Sequence, residues 1–506
     1  MSVFSELFPS GAALERCFLR TETGRTLSYA QVLERSAQLA HALVELGVRP
    51  GDRVAVQVDK SPEALLLYLA TLRAGGVYLP LNTAYTAAEL AYFLEDAAPA
   101  IFVCAPARLA ALEPLARRLG VAAVDTLGAD GAGTLTALAR SCPIQFTSVP
   151  RAPEDLAAIL YTSGTTGRSK GAMLTQQNLL SNARTLAMLW EFTPGDVLLH
   201  ALPIFHIHGL FVAINVTLAA GSSLLFLPRF DVDAVLRRLP QASVMMGVPT
   251  YYVRLLKEPR LDAALTAGCR LFISGSAPLL IETHREWQAR TGQVLLERYG
   301  MSETGMNTSN PYAGERVPGS VGLPLPGIEL RITDPLSGAP LTGQEIGMIE
   351  VRGPNVFAGY WRQPEKTRQE FRADGFFITG DLGRRDARGY VYIVGRSRDL
   401  VISGGYNIYP KEIETEIDAL PGVVESAVFG VPHPDLGEGL TAAVVRAAAP
   451  PAPLLGEAEA LAALRTRLAA YKLPKRILFV DELPRNSMGK VEKKLLRERY
   501  AQLYAG

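Results

Sequence analysis

The chain has 506 residues, 48% of them hydrophobic and 20% charged, and a net charge of +1. That length corresponds to about two to four domains and buries a core large enough to need neither disulfides nor a structural metal. The near-neutral balance argues against a nucleic-acid-binding surface, so any phosphate ligand has to be held by local geometry.

In chain order, the N-terminus (MSVFSELFPSGAALERCFLR) carries Glu6 and Glu15 and lacks a continuous apolar run, which argues against a secretory leader. From Asp52 to about Tyr299, short apolar runs alternate with helical periodicity. Residues 52–58 (DRVAVQV) read as a strand. Ser61-Pro62-Glu63 then supplies an N-cap, a first-turn proline and a first-turn acid for a helix through Leu72. Further strands are expected in 100–104, 156–161, 196–203, 222–228, 270–275 and 294–300. Helices are expected over Glu89–Asp96, Asn178–Trp190 and Leu280–Arg290. The most apolar stretch, Phe211–Leu227, contains Asn215, Thr217 and Gly221-Ser222-Ser223. It reads as a buried helix, a turn and a strand, with no membrane span. This alternation predicts layered α/β structure with mostly parallel sheets.

The texture changes after Tyr299. Residues 316–396 are rich in Gly and Pro with short alternating runs, predicting a small antiparallel β unit shaped as a distorted barrel. From Ser397 the pattern runs strand, helix, strand, strand, helix, strand. It implies a compact α+β domain with helices at Pro410–Asp418 and about Glu457–Ala469, and a surface loop at 448–460. The expected division is a large N-terminal domain of α/β sheets and β unit, 1–396, and a smaller mobile α+β domain, 397–506. Cys17, Cys104, Cys142 and Cys269 show no paired or zinc-ligand spacing, as expected of reduced, mostly buried thiols in a cytoplasmic protein.

The sharpest local feature follows the strand at 156–161. Thr162-Ser163-Gly164-Thr165-Thr166-Gly167-Arg168-Ser169-Lys170 combines glycines that turn the backbone, hydroxyl donors, and a cation for phosphate. It is not a Walker A loop, because Lys170 is followed by Gly171. This segment resembles the phosphate loop of the adenylate-forming superfamily, which includes the acyl-CoA synthetases. Four more segments resemble that family's motifs in order and spacing: Tyr299-Gly300-Met301-Ser302-Glu303, Thr379-Gly380-Asp381, Gly395-Arg396-Ser397-Arg398-Asp399 with Gly404-Gly405-Tyr406, and Pro484 to Lys490.

The resemblance implies roles residue by residue. Residues 162–170, Tyr299 and Ser302 contact ATP, and Ser276 and Ala277 line the adenine. Asp381 and Arg396 reach the ribose, and Glu303 holds Mg²⁺. Lys490 bridges the carboxylate and the α-phosphate. His206 is an aromatic gate beside the acyl site; His206-x-His208 has no third ligand nearby for a metal. The small domain rotates at Arg398, and Gly404, Gly405 and Tyr406 then form the coenzyme A tunnel. Substrates are a small carboxylic acid, ATP and coenzyme A, and the chain acts as a monomer or a homodimer.

Among such enzymes the chain looks most like malonyl-CoA synthetases, through residues 75–86, 159–174, 271–280, 296–312 and 375–383. A dicarboxylate keeps one carboxylate charged, which must be paired if buried, and Arg298 is placed to do so. Ile207 stands where that group usually has threonine, and Met306 is expected on the same pocket; both bear on whether malonate or methylmalonate is taken. The rival readings are a monocarboxylate or aryl ligase, and a non-catalytic nucleotide sensor. Whether Arg298 faces the acyl pocket separates the first rival from the malonate reading.

Overall fold

Local capping chemistry fixes where the helices start: at Ser61 as expected, two residues ahead of the expected Glu89 and Asn178, and at Ser28 for a helix the sequence reading did not include. The computed structural model describes residues 2–162, 169–403, 406–447, 455–486 and 489–505. Ser61 accepts a hydrogen bond from the Ala64 amide ahead of the helix Pro62–Arg73, all of whose residues are buried. Its lack of a polar face matches a helix covered on every side. Reciprocal capping boxes open the helices Tyr29–Glu45 (Ser28 with Gln31), Ala87–Ala97 (Thr86 with Glu89) and Gln176–Leu189 (Thr175 with Asn178).

The chain forms two compact units, residues 1–329 with 351–377, and residues 330–350 with 378–506. The first contains a six-stranded sheet in the order Ala123–Thr126, Ile101–Cys104, Arg53–Gln57, Val77–Pro80, Leu156–Thr162, Lys170–Thr175. Only its last pair is antiparallel. A nine-stranded sheet runs Leu323–Pro324, Gly305–Ser309, Leu295–Met301, Leu271–Ser274, Val244–Gly247, Val197–His200, Ser223–Phe226, Cys17–Thr21, Thr26–Ser28. Its central strands are parallel and its margins antiparallel. Parallel strands covered on both faces read as continuous apolar runs, which is why the sequence exposes most of them; Val77–Pro80, Ala123–Thr126 and Val244–Gly247 are not among the expected strands. The N-terminal strands at the sheet's far edge, Cys17–Thr21 and Thr26–Ser28, carry no such run and were not expected.

The second unit differs from expectation in two places. Its Gly-rich part is an open four-stranded sheet (Glu329–Thr333, Gly347–Arg352, Phe377–Arg385, Val391–Arg396) among the described residues, not a barrel. The helix expected from about Glu457 begins there, so the loop read to residue 460 ends at Gly456, its N-cap; Glu457 and Glu459 favour the first turn, and the helix stops at Arg465, short of Ala469. Residues 448–454 of that stretch lie outside the described residues. The remaining sheet pairs Tyr406–Ile408, Val401–Ser403, Gly437–Arg446 and Val423–His433, with Arg476–Val480 parallel to Gly437–Arg446. Pro410–Asp418 is helical as expected, and a further helix covers Lys493–Arg499. Among the four thiols, Cys104 and Cys269 are buried and Cys17 and Cys142 half-buried, all unpaired.

Candidate active site

The loop expected to cradle phosphate leaves the strand Leu156–Thr162 and returns into Lys170–Thr175, its antiparallel neighbour, with Thr162 opposite Lys170. Ser163, Gly164, Thr165, Thr166, Gly167 and Arg168 lie outside the described residues. The loop's two ends are anchored on one helix. Tyr161 donates to Asp96 at 2.5 Å, and Tyr92 donates to the Ser169 carbonyl at 2.6 Å. Burial and the Asp96 carboxylate push the Tyr161 hydroxyl far above its ordinary range, so it is a fixed donor.

Lys170 is buried, with only 5% of its side chain exposed. Its ammonium sits 3.2 Å from Glu370 and 4.8 Å from the centre of the Tyr360 ring. It is therefore a seated cation, unlike the mobile point charge its loop position implies. Tyr360 Oη lies 2.7 Å from Glu370 and 3.2 Å from Glu303, and the Thr162 hydroxyl lies 3.4 Å from Glu303. Burial and the two carboxylates raise the Tyr360 hydroxyl far above its normal range. A carboxylate, a hydroxyl and a cation thus meet where the phosphate loop begins and ends. Sequence reading found Glu303, Thr162 and Lys170 but missed Tyr360 and Glu370. Gly359-Tyr360-Trp361 carries no signal that its hydroxyl meets Glu303.

The acid-binding candidates gather at the carboxyl ends of the parallel strands of the nine-stranded sheet, where α/β sheets commonly bind ligands. On the strand Leu295–Met301, side chains alternate between faces. Glu297 turns to one face, where its carboxylate takes the Gly319 amide at 3.2 Å and lies 3.3 Å from His284. Arg298 turns to the other and is only 3% exposed. Its Nε and Nη2 have no hydrogen-bond partner among the described residues. Burial lowers its pKa to about 9, with no carboxylate among the described residues close enough to offset it. The guanidinium lies over the backbone of Gly275, where an added Cβ would meet Cζ at 2.4 Å. Gly275 directly follows the strand Leu271–Ser274, and a side chain there would occupy the arginine's seat.

Ser276 follows with a left-handed backbone, φ 72°, which costs a serine roughly 1 kcal/mol or more and marks a shaped site. Its hydroxyl lies 3.2 Å from His208 Nδ1. Burial and Arg298 lower His206 to about 4, and burial, Arg298 and the neighbouring histidines hold His208 well below the ordinary histidine range. Both rings are neutral at pH 7, and His208 Nε2 has no partner among the described residues. Among the described residues no group of three His, Cys, Asp or Glu side chains could hold a metal. His208 also opens a π-helical turn, His208–Ile214, a form that recurs at functional sites.

Ile207 is buried, and lines a cavity of about 10 Å³ with Leu174, Asn182, Phe211 and Gly305. Met306 is buried against Gly300, where a Cβ would meet its Cε at 2.6 Å. Asn182 clamps its backbone, accepting from its N–H at 3.1 Å and donating to its carbonyl at 2.9 Å. Tyr299 is buried, and Ser302 and Ala277 are partly exposed.

In the second unit, Asp381 and Arg396 face each other across paired strands, with Nε 3.0 Å from the carboxylate. Lys490 closes a turn in which its amide donates to the Asn486 side chain (3.0 Å) and its carbonyl accepts from the Asn486 amide (2.9 Å). Gly489 stands there at φ 74°; Ser487 and Met488 lie outside the described residues. Arg398 lies in the turn Ser397–Asp399, and Tyr406 opens a strand paired with Val401–Ser403. Gly404 and Gly405 lie outside the described residues. Among the described residues no helix is long and apolar enough to cross a membrane.

Comparison with known proteins identifies the family. The family model described as AMP-binding enzyme matches residues 7–361, and that of the AMP-binding enzyme C-terminal domain matches residues 412–490. The crystal structure of ATP-bound MatB from Rhodopseudomonas palustris is 58% identical, covers 100% of both chains and superposes with a TM-score of 0.97. The mitochondrial malonate–CoA ligase of Mus musculus is 37% identical over 94% of this chain and 87% of its own length. A benzoate CoA ligase from Burkholderia xenovorans LB400 is 27% identical over 98% of this chain and 100% of that one, with a TM-score of 0.88. The chain belongs to the AMP-binding enzymes and carries both the large and the C-terminal domain of that family.

Proposed function

We propose that this protein is an AMP-forming acid–CoA ligase that joins malonate to coenzyme A. In the first step a malonate carboxylate oxygen attacks the α-phosphorus of ATP and pyrophosphate leaves. In the second the coenzyme A sulfur attacks the acyl carbon, the acyl C–O bond to phosphate breaks, and AMP leaves. Malonyl-CoA is the product. Two anions must approach in the first step, so positive charge has to be fixed around them. Lys490 meets the carboxylate and α-phosphate, and Lys170, seated by Glu370, fixes the loop below the phosphates. Asp381 and Arg396 hold the ribose, and Ser276 and Ala277 line the adenine.

The donor set around Glu303 fits Mg²⁺: one buried carboxylate with the Thr162 hydroxyl beside it, leaving most positions to phosphate and water, as magnesium prefers. Bound there, Mg²⁺ would neutralise charge on the departing pyrophosphate. The change of step rests on rotation of residues 397–506 about Arg398, which withdraws Lys490 and brings Gly404, Gly405 and Tyr406 to the thiol path.

The observation that carries the choice of acid is Arg298. A buried guanidinium with two unpaired nitrogens is costly unless an anion completes it. The distal carboxylate of malonate supplies that anion in bidentate form. Acetate and benzoate bring no second charge. The neutral imidazole of His206, beside Arg298, is suited to line the acyl chain without competing for the anion. The test is a panel of malonate, methylmalonate, acetate and benzoate with ATP, Mg²⁺ and coenzyme A, read by pyrophosphate release and thioester mass. Malonate is expected to lead. Acetate or benzoate turned over more efficiently than malonate would defeat the reading.

A further inference from the structure

The segment that carries His206, Ile207 and His208 is held from behind by groups that none of the family-like motifs includes. Lys60, which follows the strand Arg53–Gln57, sends its amine to the end of the neighbouring sheet. There Nζ lies 2.7 Å from His200 Nδ1 and 2.9 Å from the His200 carbonyl, and 4.4 Å from the centre of the Phe226 ring. The opposite ring nitrogen, His200 Nε2, lies 2.7 Å from the Gly209 carbonyl. A carbonyl only accepts, so Nε2 carries the hydrogen; Nδ1 is then the acceptor for Lys60. The chain of bonds runs in one direction, from Lys60 through His200 to Gly209.

Gly209 leaves no room for a side chain. A Cβ there would meet the Pro203 carbonyl oxygen at 2.1 Å, so the chain from Pro203 to Gly209 closes back on itself. Within that closure the Leu210 amide bonds to the His206 carbonyl at 3.0 Å, and the His208 amide lies 3.3 Å from His206 Nδ1. The Gly209 carbonyl is therefore the handle by which His200 sets the start of the π-helical turn, with the His208 ring on it and the His206 ring just ahead of it.

The arrangement is costly as packing alone. Lys60 has no carboxylate partner among the described residues, and burial lowers its pKa well below the lysine range. Burial and Lys60 together lower His200, which keeps the ring neutral and its single hydrogen on Nε2. An apolar side chain would fill the space beside Phe226 at less cost. What a lysine adds is a donor that fixes the tautomer of His200.

We propose that Lys60 and His200 are positioning residues for the acid site, holding His206 and His208 at the distance from Arg298 that the bound acid requires. The inference rests on the reading of residues 206–208 as lining the acid pocket. The test compares Lys60→Met, His200→Phe and His200→Gln in the full chain, with KM for malonate, KM for ATP, kcat and melting temperature measured for each. Lys60→Met keeps the volume and loses the donor. His200→Gln keeps one acceptor and one donor, and His200→Phe keeps neither. Lys60→Met and His200→Phe are expected to raise the KM for malonate about tenfold or more with the KM for ATP within about twofold, and His200→Gln to recover most of the loss. Variants that lose only melting temperature, or that raise both KM values alike, would overturn the proposal. If unmodified enzyme prefers another acid, the malonate reading falls; the same comparison, made on that acid, still decides the role of Lys60 and His200.

Discussion

Lys170 and Glu370 stand 200 residues apart in sequence and 3.2 Å apart in space, and both side chains are largely withdrawn from water. The pair makes the strand that leaves the phosphate loop an electrostatically fixed element. Glu370 also takes Lys366 at 2.8 Å and the Tyr360 hydroxyl at 2.7 Å, so one carboxylate organises two cations and the phenol that touches Glu303.

Replacing Glu370 by Gln removes that charge while keeping the shape. Lys170 is then left buried without its anion, a change that costs several kcal/mol at fully buried sites and less here, because Glu370 is about a fifth exposed. Efficiency with ATP is expected to fall about tenfold or more, and the Mg²⁺ concentration for half-maximal activity to rise. Equal ATP and Mg²⁺ titrations for the variant and the parent would rule out this role. Nucleotide binding followed by calorimetry gives a readout independent of turnover.

Arg298→Met keeps most of the side-chain length and removes the guanidinium. If the distal carboxylate is paired there, kcat/KM for malonate should drop about 100-fold or more, the scale of truncating one partner of a buried charge pair. Acetate turnover should stay the same or improve. Arg298→Lys should recover little, since an ammonium cannot present two parallel donors.

Gly275→Ala probes the same seat from the backbone side. The new Cβ would enter within 2.4 Å of Arg298 Cζ, so the guanidinium must shift. The expected result is a raised KM for malonate with little change in the KM for ATP. An unchanged malonate KM would mean that the arginine's position does not matter to binding.

Acid should unfold the protein through a set of buried carboxylates. Glu63 bonds to Arg25 and Arg35, Asp196 to Arg270, Glu370 to Lys366, Tyr360 and Lys170, and Glu414 to Lys493. Burial raises each one's pKa, but these partners outweigh it and leave all four below their ordinary values. A carboxylate with a depressed folded pKa stabilises the fold above its unfolded value and loses that contribution as pH falls through the folded one. Melting temperature should therefore be flat near neutrality and fall progressively below about pH 4.5. A melting temperature unchanged from pH 6 to pH 3 would contradict this.

The sequence by itself determined the chemistry carried by contiguous residues. The caps at Ser61, Thr86 and Thr175 start helices through bonds three residues long, and the apolar runs of the parallel strands need only their own pattern. The Asp381 and Arg396 motifs, fifteen residues apart, already stood on neighbouring segments. Arg298 was legible as a cation beside a motif, and strand alternation put it opposite Glu297. What only the tertiary structure decided is which groups those residues meet. Glu370 on Lys170, Tyr360 on Glu303, Gly275 beneath Arg298 and Lys60 behind His200 are meetings of separate strands and helices. No local spacing encodes them, because the distance between such partners is set by how sheets and helices pack, not by how many residues lie between. The same cause hid the strand Cys17–Thr21, whose parallel partner Ser223–Phe226 lies some two hundred residues further along the chain. It also placed Ile207 in a small packed cavity with Gly305 and Asn182, a neighbourhood that its position next to His206 could not disclose.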